Sequence, residues 1–174
     1  MSMYAIASTS ITTNTSTISF SSIPQNFTHL QIRLTGRGTG TGGPNLNMQY
    51  NGDAGGNYRV HYLGGNTTSP FAGDFGASYT ASNLGWLCGS DQSANYFSSI
   101  VCDILDYSNT NKNTVSRSFT GAEANVNTLL GMFSGGWFNT AAVTSILITP
   151  SAGQFAPGTR VDLYGILKSN TTGA

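Results

Sequence analysis

The chain has 174 residues, with seven Lys and Arg balanced by seven Asp and Glu, and only 8% of it is charged. Soluble domains average roughly 25% charged residues, so the polar surface here is built from Ser, Thr, Asn and Gly. Zero net charge, with the basic residues scattered from Arg33 to Lys168, argues against binding nucleic acid by phosphate neutralisation, and no window approaches the roughly 20 apolar residues of a membrane-spanning helix.

Strand periodicity recurs along the whole chain and helical periodicity is hard to find. Residues 4–11 and 17–23 are the first alternating segments. In residues 29–35, Leu30, Ile32 and Leu34 share one face and polar residues fill the other. Asn45–Tyr50 turns Leu46, Met48 and Tyr50 inward, and residues 58–62 follow. The intervening Asn51-Gly52-Asp53 is a tight-turn signal that predicts a hairpin between these two strands. Residues 64–82, rich in Gly, Ser, Thr and Ala, read as one extended loop. Residues 97–107 form the longest strand candidate, with Ile100, Cys102 and Ile104 on one face, and residues 114–120, 128–133, 143–149 and 160–167 complete a set of about ten strands. Turn signals every 8–12 residues or so mark a sandwich or barrel. The expectation is one all-β domain, an antiparallel, jelly-roll-like β-sandwich over residues 15–168. Residues 1–14 precede it as an N-terminal arm or edge strand, and 169–174 form a polar tail.

Residues that could carry chemistry are few. His29 and His61 fall on the polar faces of their strands, and no His or Cys spacing suits zinc. Asp103 and Asp106, three apart on a strand, point to opposite faces and cannot act as a carboxylate pair. Asp106 reads as the start of a turn, and Asp103 as the partner of a cross-strand Arg such as Arg117. Asp53, Asp74 and Asp91 lie in loops that could offer oxygen ligands to calcium, but without the spacing of a calcium-binding loop. Residues 36–43 lack the Lys and the helix of a phosphate-binding loop and read as a flexible connection. Cys88 and Cys102 read as two small buried hydrophobes, with one cross-strand disulfide as the alternative. Neither a catalytic residue, a cofactor nor a metal is expected. The start Met1-Ser2-Met3-Tyr4 lacks a basic region followed by an apolar stretch, so synthesis and folding in the cytoplasm are expected.

Aromatic residues crowd the middle third of the chain. Several are assigned to the core by strand parity, whereas Phe71, Phe75 and Tyr79 fall in the 64–82 loop as exposed candidates for contact with a glycan or partner.

Several strings resemble a family of tailed-phage virion proteins, the capsid decoration (cement) proteins of cyanophages and environmental phages. They are Ile18-Ser19-Phe20-Ser21-Ser22-Ile23-Pro24, His29-Leu30-Gln31-Ile32-Arg33, Asp103-Ile104-Leu105-Asp106-Tyr107-Ser108-Asn109-Thr110-Asn111-Lys112, residues 137–146 from Trp137 to Ile146, and Leu163-Tyr164-Gly165-Ile166. The resemblance implies a β-sandwich, commonly a homotrimer, seated on the capsid surface of a virion. It implies the major capsid protein as partner and no enzyme chemistry, nucleic acid or membrane. Met3, Tyr4 and Ile6 in the N-terminal segment are then candidate capsid contacts. A receptor- or carbohydrate-binding head of a tail fibre or spike is the rival reading, resting on the aromatic loop, and a glycan hydrolase resting on Asp103 and Asp106 is the third.

Overall fold

The computed structural model describes residues 2–122 and 128–167. Among these residues there are twelve strands: β1 (Ser2–Ser10), β2 (Ile18–Phe20), β3 (His29–Gly36), β4 (Asn45–Tyr50), β5 (Tyr58–Asn66), β6 (Pro70–Asp74), β7 (Ser82–Trp86), β8 (Ser98–Leu105), β9 (Thr114–Ala122), β10 (Leu129–Trp137), β11 (Ile146–Pro150) and β12 (Arg160–Leu167). They make an eight-stranded sheet in the order β1-β12-β3-β8-β9-β10-β5-β6 and a four-stranded sheet in the order β2-β11-β4-β7. The protein is an all-β sandwich of two antiparallel sheets. The 169–174 tail lies outside the described residues.

Setting aside β5–β6 and β9–β10 leaves eight strands in the orders β1-β12-β3-β8 and β2-β11-β4-β7. In these, the first strand pairs with the last, the second with the second-last, and so inward: β1 with β12, β2 with β11, β3 with β8, β4 with β7. One long antiparallel hairpin rolled over on itself gives this pairing, which is the jelly roll. β5–β6 interrupts it between β4 and β7, and β9–β10 between β8 and β11. The two insertions meet through the β10–β5 ladder and prolong the larger sheet.

The core fills from both inner faces. Leu30, Ile32 and Leu34 of β3, Ile100, Cys102 and Ile104 of β8, and Val161 and Leu163 of β12 face Leu46 and Met48 of β4 and Ile146 and Ile148 of β11, all of them buried. Each such aliphatic side chain contributes roughly 1.5–3 kcal/mol relative to exposure, so alternation holds register strongly over these strands.

Two features of the sequence reading change. Residues 64–82 are not one loop: β5 continues to Asn66, β6 occupies Pro70–Asp74, and β7 begins at Ser82. Nor do β4 and β5 form a hairpin. β4 is flanked by β11 and β7 in the smaller sheet, while β5 lies between β10 and β6 in the larger one. Asn51 (φ 53°) and Gly52 (φ 71°) do form the tight turn, but it carries the chain from one sheet to the other. Both edges of β4 are already bonded, which leaves no edge for β5.

Strand β9 is inside out. The inward positions of β9 are Thr114, Ser116, Ser118, Thr120 and Ala122, all buried, while Val115 and Phe119 face outward with Arg117. β10 buries Gly131, Phe133, Gly135 and Trp137 and turns Leu130 and Met132 outward. Small residues are needed inside because β7 lies close against both strands. Ser82 Oγ is 3.2 Å from Ser116 Oγ, and a Cβ on Gly135 would fall 2.1 Å from Ser82 Oγ.

Candidate functional site

β7 is the edge of the smaller sheet and packs on β9 and β10, more sparsely on β5. Beyond it, the inner face of β5–β6 is covered by aromatic rings, and these rings rest on glycines across the strand. Tyr62 is the register partner of Gly73, and Phe71 of Gly64. Gly64 is in turn the partner of Gly131. A Cβ on Gly64 would lie 2.8 Å from the Phe71 ring, one on Gly73 2.7 Å from Tyr62 Oη, and one on Gly131 2.3 Å from Trp86 Cζ3. An aromatic ring laid over a cross-strand glycine restores the packing that the missing side chain gives up.

The rings form one cluster. Trp86 meets Phe133 edge to face at 4.6 Å between centroids and Phe71 at 5.6 Å. Tyr62 lies 5.3 Å from Phe75, and Phe75 stacks on Tyr79 at 5.0 Å. Tyr62, Phe71, Phe75 and Trp86 line a cleft of about 290 Å³ together with Gly42, Gly43, Asn45 and Leu129. Positive φ at Gly42 (74°) and Gly43 (71°) bends the 36–44 segment against it. Asn45 is the register partner of Trp86, and its Oδ1 is buried without a hydrogen-bond partner. The described residues that line the cleft carry no charge. A second depression, bounded by Asn66, Thr67 and Thr68, shares Gly42 and Leu129 with it.

Of the aromatic residues expected from sequence to be exposed, Phe71 and Phe75 line this cleft and Tyr79 does not. All three are half-buried rather than exposed. Tyr79 is held from behind, its backbone paired with that of Tyr58 and its hydroxyl donating to Asn47 Oδ1 at 3.5 Å. Tyr62, Trp86 and Asn45 were not singled out from sequence. Trp86 lies on β7, a strand hidden within a Gly- and Ser-rich stretch, and the role of Asn45 depends on a loop and a strand far away in sequence.

The other face of the larger sheet is a second candidate surface. Val101, Phe119, Met132 and Leu63 are consecutive register partners across β8, β9, β10 and β5. At about 4.8 Å between strands the row spans roughly 14 Å. Phe119, Met132 and Leu63 are 51%, 56% and 57% exposed, and Val115 and Leu130 extend the patch. Beside it runs a polar row, Asp103, Arg117, Ser134, His61 and Asp74, again in direct register. Asp103 is thus opposite Arg117, and its Oδ1 accepts a 2.8 Å bond from Gln31 Nε2.

The N-terminal candidates lie on β1, at the end of the larger sheet. Met3 and Tyr4 are exposed. Tyr4 lies 5.9 Å from the Phe27 ring, which covers Gly165. Ile6 is half-buried against the core, at the irregularity between Ala5 and Ala7, so its side chain is already committed within the fold.

The loop carboxylates serve their own loops. Asp53 accepts bonds from Gly55 N, Asn57 Nδ2 and Trp137 Nε1, and together these donors hold its carboxyl below the ordinary 3.8, Trp137 contributing most. Asp74 accepts from Gly76 N, and Asp91 from Gly42 N. Among the described residues no three His, Cys, Asp or Glu gather as a metal site. Asp106 opens its turn with φ 48°, bonds Lys112 Nζ, and donates its N–H to His29 Nδ1 at 2.9 Å. Lys112 draws its carboxyl below the usual range. Cys88 and Cys102 are both buried and free, and burial pushes the Cys102 thiol well up. The glycine-rich 36–44 segment is firmly tied. Arg37 bridges to Cys88, and its guanidinium donates to the carbonyls of Gln92, Ser93 and Tyr96.

The sequence matches no protein-family model, and no curated protein matches it. Among solved structures, a protein of unknown function from Shewanella oneidensis MR-1 is similar at 9% identity over 98% of this chain and 78% of that one, with a TM-score of 0.27. A likeness this faint carries no argument.

Proposed function

We propose that this chain is a virion structural protein, a decoration subunit that sits on a phage capsid and stabilises the shell, assembling as a homotrimer. The observation that supports the reading is the exposed apolar row Val101–Phe119–Met132–Leu63 on the outer face of the larger sheet. An isolated domain gains nothing by turning Val115, Phe119, Leu130 and Met132 to water. Soluble monomers rarely expose large contiguous apolar patches, and those that exist mark interaction surfaces. A second copy of the chain covering the Val101–Phe119–Met132–Leu63 row would give these side chains a dry partner. The exposed Met3 and Tyr4 of β1 would remain for the major capsid protein. A trimer engaging several capsid subunits at once turns modest single contacts into firm attachment. The resemblance noted in the sequence gives the reading its particular assembly.

Two measurements test it. Sedimentation of the purified chain should give a trimer that Phe119→Asp and Met132→Asp reduce to monomers with unchanged circular dichroism. The trimer should bind mature capsids and raise their resistance to heat. A chain that sediments as a monomer at every concentration rejects the assembly surface, and capsids that neither bind it nor gain stability reject the decoration role.

A further inference from the structure

We infer that the cleft between β5–β6 and the 36–44 segment is a binding site for a neutral saccharide, one pyranose ring deep. The site lies on the inner side of the larger sheet, away from the apolar row, and stands independently of the assembly proposed above.

Three features select the ligand. Phe71, Phe75, Tyr62 and Trp86 give the cleft ring surfaces. The electron-rich face of an aromatic ring attracts the slightly positive C–H face of a sugar, so stacking satisfies both. Beside Trp86, its register partner, Asn45 adds an amide residue to the lining. An amide side chain in the lining can hydrogen-bond a ligand hydroxyl, as donor or acceptor. The described lining carries no charge, so a phosphate or carboxylate ligand would have no counter-charge there, whereas a neutral polyol needs none. A purely aliphatic ligand would make no use of the Asn45 amide. The volume of about 290 Å³ lies at the small end of ligand pockets, roughly 300–1,000 Å³. The neighbouring depression, with Asn66, Thr67 and Thr68, offers amide and hydroxyl groups to a following residue of an oligosaccharide.

The two tryptophans make the test direct. Trp86 lines the cleft, while Trp137 is buried and donates its indole N–H to Asp53. Nitrogen-15-labelled protein titrated with neutral hexoses, N-acetylhexosamines and their short oligomers should show a saturable shift of the Trp86 indole signal, with that of Trp137 unmoved. Phe71→Leu, which keeps apolar cover over Gly64 but removes the ring face, should weaken binding by about tenfold. Phe71→Tyr should retain it, and Asn45→Ala should weaken it with the fold intact by circular dichroism. The inference is overturned if none of these sugars moves the Trp86 signal at tens of millimolar, if the shift is undiminished in Phe71→Leu, or if only a proline-rich peptide moves it.

Discussion

Trp137 Nε1 donates a 2.8 Å hydrogen bond to Asp53 Oδ2, joining the end of β10 to the turn that carries the chain from β4 into β5. The indole is 1% exposed and lies against Tyr50 and Tyr58, at 5.4 and 6.4 Å between centroids. Tyr58 in turn donates its hydroxyl to the Asp53 carbonyl and accepts the N–H of Tyr50, each at 3.0 Å. One carboxylate therefore fixes the crossing between the sheets and the place where the two insertions meet.

Truncating it should cost more than an ordinary surface substitution. Asp53→Ala strands the Trp137 N–H inside the fold, and a buried donor without a partner costs about 1–3 kcal/mol. Urea unfolding should show that loss with an unchanged slope. A variant as stable as the parent would mean that water takes over the indole bond.

The same contact predicts a pH dependence. The Asp53 carboxyl is held below its ordinary 3.8 in the folded chain, chiefly by the Trp137 indole and then by Asn57 and Gly55. The unfolded chain therefore takes up a proton first as pH falls. The stabilisation is complete above that ordinary value and is lost as pH drops through the lowered folded value. Asp53→Asn, which does not titrate, should differ most from the parent at neutral pH and converge on it in acid. Parallel stability curves across that range would rule out the carboxylate as the source.

Glycines in the larger sheet should divide sharply by what they touch. A methyl on Gly131 would fall 2.3 Å from Trp86 Cζ3, and Trp86 is wedged against Phe133 and Phe71. Gly131→Ala must displace the indole, and overpacking of this kind costs about 1–3 kcal/mol. Gly121, two residues beyond Phe119 on the same outward side of β9, has nothing within 4 Å of an added Cβ and an ordinary φ. Gly121→Ala should be neutral or slightly stabilising. Thermal melts separate the two, and near-ultraviolet dichroism should change only in Gly131→Ala.

The two-sheet architecture was legible because β3, β4, β8 and β12 alternate cleanly, and Leu30, Leu46, Ile100 and Leu163 had only one face to choose. β6 and β7 were not, because Gly73 and Gly85 stand where an apolar residue would have marked the pattern; their contacts are supplied by Tyr62 and Thr120 from elsewhere. The Asn51-Gly52 turn was read correctly as a turn and wrongly as a hairpin, since local turn chemistry is silent on which sheet the next strand joins. The aromatic cleft was half legible. Phe71 and Phe75 stood out by composition, but Asn45 reaches Trp86 only through the β4–β7 ladder, a pairing between segments about 40 residues apart that no local signal announces.

Arg37 offers the last prediction. Its guanidinium donates to three carbonyls of the 92–96 turn, with Nη1 at 2.7 Å from Ser93 O and 3.1 Å from Tyr96 O, and Nη2 reaching Gln92 O. A planar fork can serve three acceptors arranged this way, whereas the single ammonium of lysine is a point donor on a longer, looser stem. Arg37→Lys keeps the charge and should still lose most of the clamp. The turn has few bonds of its own beyond Gln92 N to Gly89 O and Tyr96 N to Ser93 O. Those two amides should therefore exchange their hydrogens faster in the variant, by about tenfold for each 1.4 kcal/mol of local stability removed. Amides of the β3–β8 ladder should keep their protection, since the clamp holds the turn rather than the sheet. Equal exchange at Gln92 and Tyr96 in both proteins would show that the turn stands without the arginine.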